Sequence, residues 1–374
     1  MNKPLLSIVV PTKNRYKYLM ELILLVKSFD QERLELVIQD NSDDNSEILA
    51  FIEQNSFDQL KYFYKKDSVD MVLNADLAVL NSTGEYVCFI GDDDGVTRDI
   101  IIVVEQMIHE GYDAVRPIAP TYIWPDVQCA LWPFAGTVKC HKKYTRRFFP
   151  KDVNKALSEL LSRGGQNILD MPCVYHGIVR RKHLNEIYNK TGSFFPGPSP
   201  DMANAVSLAL LDLKFGKVDA PVIISGQGKK SAGGKGANHK HLAEVKDVKS
   251  LPKDTDFFWD KRVPKYWTGE TIYAETVLKA LEKMERQDII PQLNFGYFYG
   301  TFIVFHFKLK KLIKPYLQIS NLFSVYRGAL SGFSRRVHAL INNICLYKNL
   351  HPTKVLKGGI TSIVDCEKYL LNLK

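Results

Sequence analysis

Residues 83–94 read Thr-Gly-Glu-Tyr-Val-Cys-Phe-Ile-Gly-Asp-Asp-Asp. The run 86–90 is short, apolar and bounded by turn residues, which fits a strand buried on both faces. Three carboxylates, Asp92, Asp93 and Asp94, follow after a single glycine. Adjacent carboxylates repel one another, and a hard divalent cation with oxygen ligands is the neutraliser that suits them. A solvated acidic loop is the plainer alternative. The position at the end of a buried strand favours the metal.

Working outward, apolar runs and helical periods alternate. Residues 5–10 form an apolar run stopped by Pro11, and 16–28 carry Leu19, Leu22, Ile23 and Val26 at helical spacing. Strands are expected at 34–39 and 60–64, and a further one begins at 114–116. Helices are expected from Ser46 to 53, over 69–81 and over 99–110. Such alternation predicts an α/β fold, a parallel-rich sheet with helices on both faces. Ligands of these sheets bind beyond the carboxyl ends of the strands. The polar clusters 12–15, 40–44 and 92–94 each follow a strand and so meet at one edge. Asp40 there suits a nucleobase imide or a ribose hydroxyl, or else satisfies its own turn. Thr12, Asn14 and Arg15 are placed to bond a nucleotide; capping of a neighbouring helix is the other reading of Arg15.

The middle of the chain is less regular. Residues 173–179 and 217–225 read as strands and 203–213 as a helix. Asp201 follows the proline-rich stretch 194–200, where a helix cap belongs. Residues 226–238 hold five glycines and three lysines and read as a flexible lid or linker. A charged connector, 242–252, leads to a helix at 271–285 and a long basic helical region from about 293 to 348.

Composition narrows the class. The 374 residues are 45% hydrophobic and 24% charged, which argues against disorder, collagen or coiled coil. Fifty Lys and Arg against 41 Asp and Glu leave a charge of +9, suited to anionic partners. Six scattered cysteines without a CxxC pair argue against structural zinc and a disulfide framework. No stretch reads as a signal peptide or a membrane span. The expected location is cytoplasmic, peripheral at the inner face of the cell membrane.

Three ordered motifs resemble the family-2 glycosyltransferases: Ser-Ile-Val-Val-Pro-Thr-Lys-Asn-Arg at 7–15, Asp-Asn-Ser-Asp-Asp at 40–44, and the stretch 83–94. The resemblance is close over about 5–116, looser over about 170–225 and absent after about 240. It implies the nucleotide-diphosphosugar transferase fold of GT-A type, a Rossmann-like mixed sheet, with a C-terminal helical region added. It implies a catalytic domain over 1–240, with a nucleotide-sugar half at 1–116 and an acceptor half at 117–240, and a helical region at 241–374. Pro11 and Thr12 would lie beside the nucleotide, Asp40 would bind the base, and Asp92 and Asp94 would be the outer residues of the DxD motif. The implied cofactor is Mn2+ or Mg2+ held by Asp94 and Asp92, and the implied donor is a nucleotide-sugar, with UDP the commonest carrier. Asp201 would be the base that deprotonates the acceptor hydroxyl in an inverting reaction.

The remaining expectations concern less specific features. His239 or His241 completes the metal site, or both are plain surface. Lys229, Lys230 and Lys235 close on the diphosphate or merely solvate a linker. His176 and Arg180–Arg181 border the acceptor site, with a core role the alternative for His176. Trp124 and Trp132 stack on a sugar or pack. The basic C-terminal helices bind anionic lipid, pack on the catalytic domain or form an oligomer interface. The expected job is transfer to a glycan acceptor, including polyprenyl-diphosphate-linked ones, in O-antigen or capsule synthesis. A nucleotidyltransferase of related fold is opposed by the absence of glycine in residues 11–15. A nucleic-acid-binding protein is opposed by carboxylates where basic residues belong.

Overall fold

In the computed structural model of the chain, which describes residues 3–29, 31–127, 134–231 and 242–373, strand β1 (Leu6–Thr12) is buried at every position but Pro11. A strand covered on both faces reads as a continuous apolar run, which is why its sequence does not alternate. It pairs in parallel with β2 (Leu34–Asp40), and β2 pairs in parallel with β3 (Leu60–Tyr64). On its other side β1 pairs in parallel with β4 (Tyr86–Phe89). Helices α1 (Tyr16–Lys27), α2 (Ser46–Asn55) and α3 (Met71–Leu80) make the crossovers. After the short β5 (Gly95–Val96) come α4 (Ile100–Glu110) and β6 (Ala114–Pro117). The α/β alternation expected over residues 5–116 is therefore present.

Beyond it lie β7 (Thr121–Ile123), β8 (Thr137–His141), β9 (Phe148–Lys151), α5 (Val153–Ser162), β10 (Ile178–Arg180), α6 (Arg181–Thr191) and α7 (Pro200–Ala209). Two more strands, β11 (Phe215–Val218) and β12 (Ile223–Gln227), complete this part. The strands form a mixed sheet of order β3-β2-β1-β4-β10-β6-β11-β9 and a second sheet of order β13-β8-β7-β12-β5, where β13 is Lys354–Gly358.

Two strand expectations change here. Of 173–179 only the end is strand, because His176 adopts φ +53° and turns the chain before β10. The run 217–225 is two strands in different sheets, since Pro221 has no N–H to donate and the ladder breaks there.

The C-terminal helices α8 (Gly269–Lys283) and α9 (Phe295–Phe305) share a core with α5 and α7, built on Val277, Leu281, Phe298 and Phe302. The long α10 (Leu322–Tyr347) lies along α9. The region 241–374 is not helical to its end. Strand β13 pairs with β8, and α11 (Ile363–Leu371) packs on α1, placing Ile363, Cys366 and Leu370 in the N-terminal core.

Candidate active site

The parallel register sets Thr12 beside Asp40 at the carboxyl ends of β1 and β2, and β4 delivers Asp92–Asp94 to the same edge. The three aspartates are almost entirely withdrawn from water, at 0%, 4% and 1% exposure. Asp92 accepts from Thr12 Oγ1 at 2.6 Å and from Arg15 Nε at 3.0 Å, and its other oxygen lies 2.8 Å from Arg15 Nη2. Arg15 also reaches Asp93, at 3.5 Å. Burial pushes both Asp92 and Asp93 above the usual carboxylate range; neighbouring carboxylates add to it and the Arg15 guanidinium opposes it.

Asp94 is held from two sides. One oxygen accepts from the Gly226 amide at 2.7 Å; the other accepts from the Gly91 amide at 2.7 Å and the Tyr175 hydroxyl at 3.2 Å and lies 2.7 Å from His176 Nε2. Glycine is required at 226 because a Cβ there would fall 1.6 Å from the Asp93 carbonyl oxygen. Gly228 donates its amide to Asp93 at 2.8 Å, so the segment after β12 is stitched onto the acidic triplet.

This donor set fits a divalent cation. Three buried carboxylates face one guanidinium and one imidazole, which leaves negative charge to be neutralised. Carboxylate oxygen and imidazole nitrogen meet at Asp94 and His176, a combination that manganese accepts. Among the described residues no three His, Cys, Asp or Glu side chains converge as ligands. The chain's share of such a site would be one or two side chains, with substrate phosphate and water supplying the rest, the usual arrangement for magnesium. Of the residues expected to bind metal, Asp92 is committed to Arg15 and Thr12, and His239 and His241 lie outside the described residues.

Asp201 stands in the first turn of α7. Ser199 holds the N-cap position and Pro200 is the first helical residue, so Asp201 is not itself the cap. One Asp201 oxygen accepts from Ser199 Oγ at 2.6 Å and from the Met202 amide at 2.8 Å; the other accepts from the Tyr273 hydroxyl of α8. The segment before β10 reaches the Asp94 carboxylate and the Asp201 backbone. Cys173 Sγ donates to the Asp201 carbonyl at 3.3 Å, and Tyr175 donates to Asp94 at 3.2 Å.

Asp40 is fully buried and its oxygens are occupied by the hydroxyls of Tyr16 and Tyr62, each at 2.7 Å, and by the Ser42 amide at 2.8 Å. Asn14, at φ +57°, ties its loop to the next one through Ser42 and Asp43. Pro11 is half-buried beside them. A cleft of about 490 Å3 opens here between Arg15, Asp43, Asp44, Lys229 and Lys230. Asn74 of α3 donates to the Thr12 carbonyl at 3.4 Å, and its buried Oδ1 has no partner among the described residues. A larger cleft of about 650 Å3, around Arg262, Phe295 and Tyr316, holds none of these residues.

Sequence reading missed the place of His176 and the roles of Tyr175 and Tyr273. β10 runs antiparallel to β4, so its entry, not its exit, lies at the carboxyl edge. For the same reason Arg180 and Arg181 fall at the opposite edge, on Glu85 and the Gly84 carbonyl, away from any acceptor. The one local signal was Tyr175-His176-Gly177, a turn written inside an apolar run. Trp124 packs on Tyr18 and Tyr122 and donates to the Asp93 carbonyl. Trp132 and Lys235 lie outside the described residues.

Residues 7–159 match the family model described as Glycosyl transferase family 2. No curated protein sequence matches the chain. Among solved structures, S. aureus TarS 1-349 in complex with UDP-GlcNAc is similar at 15% identity, over 87% of this chain and 92% of that one, with TM-score 0.48. A second S. aureus TarS 1-349 structure gives 14% identity over 87% and 91%, with TM-score 0.45. The longer TarS structure gives 15% identity over 60% of this chain and only 37% of its own length, with TM-score 0.42. Over residues 7–159, which hold the β3-β2-β1-β4 strands and the carboxylates at their ends, this chain is similar to the family 2 glycosyltransferases.

Proposed function

We propose that the protein transfers a sugar, with inversion, from a nucleotide-sugar, a UDP-sugar first among them, to a hydroxyl of a glycan acceptor in surface-polysaccharide synthesis. The observation that carries this reading is Tyr175, which donates to Asp94 and whose phenol is raised by burial and further by the charges of Asp94, Asp93 and Asp201. A carboxylate suited to grip a diphosphate and a carboxylate suited to take a proton thus both act on one tyrosine.

In this reading the nucleotide occupies the cleft beside Arg15. Asp40 fixes one wall of that cleft by holding the Tyr16 hydroxyl. Asp94 and His176 would hold Mn2+ or Mg2+, which supplies Lewis-acid stabilisation of charge on the departing diphosphate. Arg15 favours the ionised form of Asp92 against the burial that opposes it, and its guanidinium pairs with Asp92 and Asp93 rather than with Asp94. Asp201 accepts the acceptor's proton, and Ser199 and Tyr273 fix the carboxylate for it; geometry is the first requirement of a general base. Lys229 and Lys230, beside Asp93's partner Gly228, offer positive charge to the phosphates. The acceptor includes polyprenyl-diphosphate-linked glycans.

Titration of the folded protein with UDP-, GDP-, dTDP- and CMP-sugars, with and without Mn2+, tests the reading. Metal-dependent binding of one donor class, lost in Asp94→Ala and kept in an Asp201→Asn variant that no longer transfers, is expected. Absence of binding to every donor with metal present would sink it.

A further inference from the structure

Residues 289–364 contain ten lysines and arginines and no aspartate or glutamate, so the rest of the chain is close to neutral. Within this segment α9 and α10 pack backbone to backbone. Gly296 and Gly300 admit Ser324 and Val325 of α10, and Gly328 and Gly332 admit Tyr297 and Val304 of α9: a Cβ on Gly300 would meet the Val325 carbonyl at 1.9 Å, and one on Gly328 the Tyr297 carbonyl at 2.2 Å. Paired small-xxx-small faces are the packing mode of helices that work without a hydrophobic drive between them, as in lipid.

The opposite side of α10 is apolar and uncovered. Phe323, Tyr326, Leu330, Phe333, Val337 and Leu340 recur at three- and four-residue steps, and Phe323 and Phe333 are 72% and 64% exposed. The patch widens through Phe307 and through Ile319, which is 92% exposed. At about 150–250 Å2 per aromatic side chain, this exceeds the few hundred Å2 that monomers commonly leave bare. By helical spacing Arg327 and Arg336 flank the stripe on its two sides, and Lys308, Lys310, Lys311 and Lys314 sit exposed in the turn between the helices. Lys310 lies 4.0 Å from the Phe307 ring centre, so charge and ring share one face.

We propose that the α9–α10 hairpin docks the enzyme on an anionic phospholipid bilayer, α10 lying in the interface with its apolar stripe toward the acyl chains and its Arg and Lys on lipid phosphates. Charge decides between lipid and a second copy. Two copies joined along α10 would oppose arginine to arginine without one carboxylate to pair them, and the patch spreads wider than a helix seam. No described helix is long and apolar enough to cross a membrane, so the hairpin lies on the surface. This docking stands apart from the assignment of catalytic residues.

Flotation of the full chain with phosphatidylcholine vesicles, with and without phosphatidylglycerol, at about 0.15 M salt tests it. Binding to the anionic vesicles and at least about tenfold less to the zwitterionic ones is expected. Phe323→Ser/Phe333→Ser and Arg327→Glu/Arg336→Glu should each weaken binding about 30-fold or more, with melting temperature and donor binding unchanged. The proposal fails if the folded parent ignores anionic vesicles or if both variants bind like the parent. It fails also if the parent is a dimer that the phenylalanine changes dissociate while vesicles are left unbound.

Discussion

Replacing Arg15 by Gln tests the electrostatic logic of the site without touching a proposed ligand. Arg15 is the guanidinium against Asp92, which is fully buried and lies 2.8 and 3.0 Å from it. Removing one partner of a buried ion pair costs about 3–5 kcal/mol, because a charge is left without compensation. Asp92 can escape part of that cost by taking up a proton, which burial already favours, so the lower end, about 3 kcal/mol, is expected. At roughly 2–4 °C per kcal/mol for a domain of about 150–250 residues, the melting temperature falls by about 6–12 °C. A divalent cation substitutes for the lost charge. At about a hundred times its dissociation constant it returns about 2.7 kcal/mol, and it should restore more to the variant than it adds to the parent. Melting curves of both proteins over a Mn2+ series give the result. A variant that melts within 2 °C of the parent without metal, or equal metal shifts in both, would refute the assignment of Arg15 as the neutraliser of the triplet.

Asp76 is buried, accepts from Ser193 and the Phe194 amide, and is pushed by that burial from 3.8 to about 6. Its folded form therefore binds the proton more tightly than the unfolded chain. The associated stability is complete below about pH 3.8 and is lost as pH rises through about 6. Asp76→Asn should raise stability above pH 6 by about 1–3 kcal/mol and flatten the pH dependence between 4 and 6, read by urea unfolding at stepped pH. Tyr273→Phe removes a donor to the Asp201 carboxylate, a bond of about 1.5–3 kcal/mol; kcat should fall about tenfold or more with donor affinity unchanged, whereas a purely structural role would lower only the melting point. His176→Gln should weaken Mn2+-dependent donor binding about tenfold or more while leaving metal-free stability near that of the parent, as followed by calorimetric titration.

The half of the site that follows parallel strands was legible because one rule governs it. A strand ending in a polar cluster delivers that cluster to the carboxyl edge, and residues 12–15, 40–44 and 92–94 obey. The other half depends on direction. Nothing in residues 173–181 says that β10 runs against β4, yet that direction sends His176 to the site and Arg181 away from it. A positive φ at a histidine is equally silent in sequence. Tyr273 comes from a helix about seventy residues past Asp201, a contact that local pattern cannot encode. Asp40 was legible as an edge carboxylate; that two tyrosine hydroxyls fill its oxygens required the packed α1 and β3.

The return of β13 and α11 to the N-terminal core has a consequence for biosynthesis. Strand β13 pairs with β8 more than two hundred residues upstream, and Ile363 sits so close to Gly95 that a Cβ there would meet it at 2.6 Å. The sheet that holds β8 therefore leaves the ribosome with an unfinished core. It lacks an edge strand until residues 354–358 have been made, and closing so long a loop is slow. The acidic triplet and the nucleotide cleft are then assembled late, on a scaffold that the far end of the chain completes. Truncation at residue 240 should yield an aggregating fragment rather than a smaller transferase.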